Sequence, residues 1–204
     1  MSLTLFSHLP RAASVVALLC VSSGATAQDA SPQDLVAALQ EGGLVIYVRH
    51  ATTESDYADQ VHAVMGDCAT QRVLSAEGWS EAKGIGAAVD ALEVPVGGVV
   101  SSGYCRAWQT ADLAFGHYHT DEALHFAKAE DYSDADIAQM RENVLPFLTE
   151  VVAEGNRVVV GHDDPFEAAT GIYPEPQGVA YVVRPEGDSF TVLGHIDPDA
   201  WPTN

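Results

Sequence analysis

Positive charge is scarce in this chain: 9 lysines and arginines stand against 29 aspartates and glutamates in 204 residues, a formal net charge of −20. Nucleic acids and anionic membranes are recognised through basic surface, so neither is expected as a partner. No stretch approaches the roughly 18 uninterrupted apolar residues of a membrane span, which argues against stable membrane insertion. A Gly-x-x-x-x-Gly-Lys nucleotide loop is also missing, and with it the machinery of ATP-dependent transfer. There is no internal repeat or low-complexity tract, and cysteine is limited to Cys20, Cys68 and Cys105.

Residues 1–27 read as an export signal. Arg11 is their only charge, residues 12–21 form a short apolar core, and Ala25-Thr26-Ala27 offers small residues for cleavage. Processing would leave one domain over residues 28–204, long enough for a real core, in the periplasm or outside the cell. Cys20 lies in the leader, so Cys68 and Cys105 remain as an even pair in an oxidising compartment. Either they form a disulfide, tying the loop before Arg72 to the loop carrying Arg106, or they stay as free thiols.

What the chain does have is an alternation of helical and strand-like segments. Ser31-Pro32-Gln33-Asp34 is a helix start leading into residues 35–44, stopped by Gly42-Gly43. Residues 43–48 are continuously apolar and partly β-branched, as in a strand covered on both faces. A polar stretch runs to Gln71, and Ser75 opens a helix through Leu92. Residues 94–100 predict a strand, followed by a loop and a helix over residues 106–115. Residues 117–132 read as irregular, Ser133 caps a helix reaching Val152, and residues 157–160 form a buried strand ending at Gly161-His162. Residues 178–183 and 190–193 pair at the end. The pattern predicts an α/β fold: a three-layer sandwich with a mostly parallel central sheet flanked by helices.

In open parallel sheets, ligands bind outside the carboxyl ends of the strands. Arg49-His50, Arg106 and His162 all fall at or just after such ends, which gathers the rare cations and two imidazoles on one edge. Two guanidinium groups suit the spread negative charge of a phosphoryl group. An unprotonated imidazole nitrogen can attack phosphorus, and a carboxylic acid can protonate the leaving oxygen and later activate water. A cysteine nucleophile is excluded, because Cys68 lies too close to Arg72 and Cys105 abuts Arg106 for a phosphate-cradling loop between them. His117, His119 and His125 lack a matching acid or cysteine ligand pattern, so they read as solvated loop histidines and no metal is expected.

The segments Arg49-His50-Ala51 with Thr53, Gln71-Arg72-Val73-Leu74-Ser75-Ala76-Glu77-Gly78, Ser101-Ser102 with Arg106-Ala107 and Gln109-Thr110-Ala111, and Val159-Val160-Gly161-His162 resemble, in order, the motifs of the histidine phosphatase superfamily. This group includes the phosphoglycerate mutases and the compact bacterial phosphohistidine phosphatases, and the resemblance spans residues 43–194. It implies a phosphoglycerate mutase-like fold, no cofactor, His50 as nucleophile, Arg49 and Arg106 as phosphate ligands, and His162 completing the pocket. Arg72 either touches substrate or anchors its loop; Thr53 either gives a hydroxyl to phosphate or caps a turn. Ala51 stands where many members have glycine.

The acid is less fixed by resemblance. Acid phosphatase-like members place an aspartate directly after the second histidine, which points to Asp163. Mutase-like members draw a glutamate from the preceding region, which points to Glu130, with Asp131 beside it as the alternative. Asp164, Glu54 and Glu175 are further candidates. The resulting expectation is an exported, cofactor-independent phosphatase of small phosphomonoesters. A phosphohistidine phosphatase and a non-catalytic phosphate-binding module on the same fold stay open.

Overall fold

The computed structural model describes residues 30–54, 59 and 61–203; the expected export signal and its cleavage site lie outside the described residues. Ser31 caps the first helix, α1 (Pro32–Glu41), its hydroxyl accepting the Asp34 amide, and Pro32 takes the first turn where its missing N–H is harmless. Next come β1 (Val45–Arg49), α2 (Ala76–Ala91), β2 (Val96–Ser101) and α3 (Cys105–Phe115). The chain continues through β3 (His119–Thr120), α4 (Asp134–Thr149), β4 (Asn156–Gly161), α5 (Asp163–Thr170), β5 (Ala180–Pro185) and β6 (Phe190–Ile196).

The strands form one sheet in the order β3-β2-β4-β1-β5-β6. Strands β3, β2, β4 and β1 pair in parallel, and β5 and β6 extend the sheet antiparallel. Alternation along β1 explains the two cores. Ile46 and Val48 face α1, α2 and α3, joining Leu35, Leu39, Ile85, Val89 and Ala111. Val45 and Tyr47 face α4 and α5, joining Val144, Leu148 and Phe166. Successive strand residues point to opposite faces, so a strand apolar at every position requires helices on both. The three-layer α/β sandwich is therefore as expected. Among the described residues, no helix is long and apolar enough to cross a membrane.

Three segments differ from the sequence reading. The segment 117–132 holds a strand after all: His119 and Thr120 pair with Val100 and Ser101, and a 3-10 turn follows at Glu122–Leu124. Two exposed residues at a sheet edge carry no hydrophobic period, so nothing in the pattern announced them. Helix α5 follows His162 directly and was not expected, because Pro165 and a short polar run mask it; the proline sits in the first turn, where no intrahelical N–H is needed. Helix α4 stops at Thr149, not Val152, and Val151 is 70% exposed.

Candidate active site

Strand register brings the sequence landmarks together. Arg49 pairs with Gly161, and Ser101 with Val160. One step further, the His50 amide donates to the Gly161 carbonyl at 3.0 Å and the Ser102 amide to the Val160 carbonyl at 2.9 Å. His50, Ser102 and His162 thus leave the carboxyl edge side by side, with the two imidazole centroids 5.5 Å apart. Helices α3 and α5 both begin here without a side-chain cap, adding the positive ends of two helix dipoles to the same edge.

His50 is fully buried, and its two nitrogens have distinct partners. Nδ1 lies 2.9 Å from the Ala51 carbonyl, which can only accept, so Nδ1 carries the proton. Nε2 keeps its lone pair and accepts from Arg106 Nε at 3.1 Å. Burial, followed by the Arg106 charge, holds the His50 pKa well below the usual histidine value. A neutral ring with a free Nε2 electron pair is the form that attacks phosphorus.

His162 is equally buried and also pushed well below the usual range, first by burial and then by Arg106. Its Nε2 lies 2.8 Å from the Ser102 hydroxyl. Assigning that hydroxyl as donor puts the ring proton on Nδ1, which has no partner among the described residues. Tyr104 and Phe126 wall the ring edge-on at 5.2 and 4.7 Å. The Tyr47 hydroxyl fixes the His162 backbone, donating to its carbonyl at 2.8 Å and accepting from its amide at 3.1 Å. A side chain at Gly161 would collide with that hydroxyl, so Gly161 is a packing requirement of the second histidine.

Both pocket arginines are buried and paired with carboxylates. Arg49 donates through Nη2 to Asp163 at 2.6 Å and through Nη1 to the Pro174 carbonyl at 2.8 Å. Arg106 donates through Nη1 to Asp59 at 2.9 Å. Asp59 also accepts the Arg72 amide at 2.8 Å. Among the described residues, Arg49 Nε and Arg72 Nε are buried without a partner, as is His162 Nδ1. A buried N–H donor costs about 1–3 kcal/mol when unsatisfied, so the two guanidinium N–H groups in one cluster mark a place for an acceptor-rich group.

Cys68 and Cys105 form a disulfide with an S–S distance of 2.05 Å, which decides between the two sequence readings. It ties the loop carrying Asp59, Gln71 and Arg72 to the first residue of α3, next to Arg106. The Gln71 side chain reinforces the junction by accepting the Cys105 amide at 2.8 Å.

Of the residues expected from sequence, Arg49, His50, Arg106, His162 and Asp163 share this cluster, and the charge of Arg72 reaches both histidines. Thr53 turns toward Gln177, which accepts its amide at 2.9 Å and its hydroxyl at 3.5 Å. Glu130 is exposed between the 3-10 turn and α4 and makes none of the cluster's contacts described above. Asp164 binds the Tyr132 hydroxyl at 3.0 Å, and burial together with Asp163 pushes its carboxyl up to about 6. His125 is not a solvated loop histidine: it is half-buried and accepts the Gly103 amide at 3.1 Å. Asp59 was missed, since one more acid in a polar stretch carries no motif. No group of three or more His, Cys, Asp or Glu among the described residues is placed to hold a metal ion.

Several solved phosphatases share this fold. The protein histidine phosphatase SixA, solved with tungstate, superposes with a TM-score of 0.54 at 14% identity, over 76% of this chain and 97% of that one. An Escherichia coli protein provisionally named an alpha-ribazole-5'-P phosphatase gives 0.58 at 14% identity, over 79% and 100%. A phosphoserine phosphatase from Entamoeba histolytica, solved as a histidine-to-alanine mutant with phosphoserine, gives 0.54 at 13% identity, over 74% and 95%. No family model matches the sequence. No curated protein matches it either.

Proposed function

We propose that this protein is a phosphomonoester phosphatase that works through a phosphohistidine on His50, without a cofactor. The observation that carries the reading is the pair of buried guanidinium N–H groups, Arg49 Nε and Arg72 Nε, that have no partner among the described residues and lie in one cluster with a neutral His50. A phosphoryl group has the oxygens to satisfy them, and fixed cations favour the charge of its transfer. His50 Nε2 attacks phosphorus while the bond to the ester oxygen breaks, and Asp163 gives that oxygen its proton. Water then attacks the phosphohistidine, Asp163 takes the water's proton, and inorganic phosphate leaves. Asp163 is positioned for this by its contact with Arg49 Nη2. The phosphatase names carried by three proteins of the same fold support the reading.

The disulfide supports an exported protein, since such bonds persist in oxidising compartments. One observation favours a second reading, a phosphate-binding module without turnover: both arginines are already occupied by carboxylates. Hydrolysis of p-nitrophenyl phosphate without added metal, across acidic to neutral pH, separates the two. The enzyme turns over, and His50→Ala abolishes turnover while retaining tungstate binding. A protein that binds tungstate but releases no p-nitrophenol from any phosphomonoester is the binding module.

A further inference from the structure

Beside the catalytic edge lies a cavity of about 350 Å³, lined by Gly103, Trp108, Tyr118, Asp121, Glu122 and His125 among others. Strands β2 and β3 are parallel neighbours with Ser101 paired to Thr120, so the cavity opens at the same carboxyl edge that delivers His50 and His162. Only one step of chain separates the two spaces: Ser102 bonds His162, and Gly103 lines the cavity while its amide bonds His125. Between them stands Tyr104, whose ring is edge-on to His125 at 5.2 Å and to His162 at 5.2 Å. The Tyr104 hydroxyl is itself buried and without a partner among the described residues.

The walls select a charge. Asp121 and Glu122 face a space whose lining, among the described residues, includes no lysine or arginine, and burial lowers the pKa of His125. Trp108 and Tyr118 add two aromatic rings lying parallel to within 10°. A second anion is repelled here, and a neutral alcohol gains little from two carboxylates. An ammonium group gains from both the carboxylates and the aromatic faces. The cavity is at the small end of the ligand-pocket range, which suits a head group of a few heavy atoms.

We propose that this cavity is the leaving-group subsite, and that the substrates are phosphomonoesters of small alcohols bearing an amine or quaternary ammonium group. The ester-cleaving part rests on the phosphatase reading above; the cation-binding part rests on the cavity alone. Hydrolysis of the P–O bond in such an ester follows the steps already given and releases the cationic alcohol and phosphate.

The test compares phosphocholine with 3,3-dimethylbutyl phosphate, which replaces the quaternary nitrogen by carbon, and follows choline binding by calorimetry. The expected result is a kcat/KM about 10-fold higher for phosphocholine, a preference that Glu122→Gln narrows, together with choline binding that the same variant weakens. Glu122 is exposed, so the substitution leaves the core untouched. Equal hydrolysis of the two esters overturns the subsite while the phosphatase reading stands. If no ester, p-nitrophenyl phosphate included, is hydrolysed, the phosphatase reading falls and choline decides the cavity: binding sensitive to Glu122→Gln sustains a cation site, and no binding overturns it.

Discussion

Replacing Cys68 and Cys105 together by serine cuts the covalent tie between the Asp59–Arg72 loop and α3. The sequence separation of 37 sets the entropy that the bond removes from the unfolded chain, about 4 kcal/mol at 25 °C. With a urea slope of about 2 kcal/mol/M for a domain of this size, the unfolding midpoint falls by roughly 2 M. Function falls as well. The bond anchors the residue beside Arg106, and Asp59 and Gln71 reach α3 from the same loop. Without it, the placement of Arg72 relative to Arg106 depends on those hydrogen bonds alone. Urea unfolding and p-nitrophenyl phosphate kinetics on the double variant give both readings. An unmoved midpoint refutes the entropic argument. A lowered midpoint with unchanged kcat/KM refutes the claim that the tie positions the arginine cluster.

Gly161→Ala drives its Cβ against the Tyr47 hydroxyl that holds the His162 backbone, and such overpacking costs about 1–3 kcal/mol. Thermal unfolding is expected to show that loss with a fall in kcat, and adding Tyr47→Phe to restore part of the stability; a variant as stable and active as the parent refutes the packing requirement. Stability also depends on pH through the buried histidines. His50 and His162 stay neutral in the fold where the unfolded chain is protonated, so this contribution is complete above about pH 6.5 and falls by up to ~1.4 kcal/mol per pH unit per histidine below it. Asp164, pushed up to about 6, runs the other way and offsets part of the loss between that pH and the ordinary carboxylate range. Urea midpoints at pH 7 and pH 5 test this: His162→Gln makes the dependence shallower, and an unchanged slope refutes the assignment.

The parts of the fold legible in the sequence were those that obey a period or a cap. The apolar run of β1 demanded helices on both faces, and Ser31, Ser75 and Ser133 each cap a helix they announced. Because strand ends and ligand sites coincide in parallel sheets, the same reasoning put Arg49, His50, Arg106 and His162 on one edge. What escaped was set by partners distant in the chain. Asp59 takes its meaning from Arg106, Tyr47 from the backbone of His162, and β3 from an exposed edge pairing of two residues. Likewise, the segment read as irregular supplies one wall of the neighbouring cavity, through chemistry that has no periodicity to read.

The pairing of Arg49 with Asp163 and of Arg106 with Asp59 gives the resting site its own internal counter-ions. On the phosphatase reading proposed above, an incoming phosphate competes with these carboxylates for the guanidinium groups, which lowers the net gain from each arginine. On the same reading, the two carboxylates compete with inorganic phosphate after hydrolysis and favour its release. A pocket of bare arginines would hold its product tightly. On the phosphatase reading, this paired site trades ground-state affinity for product release.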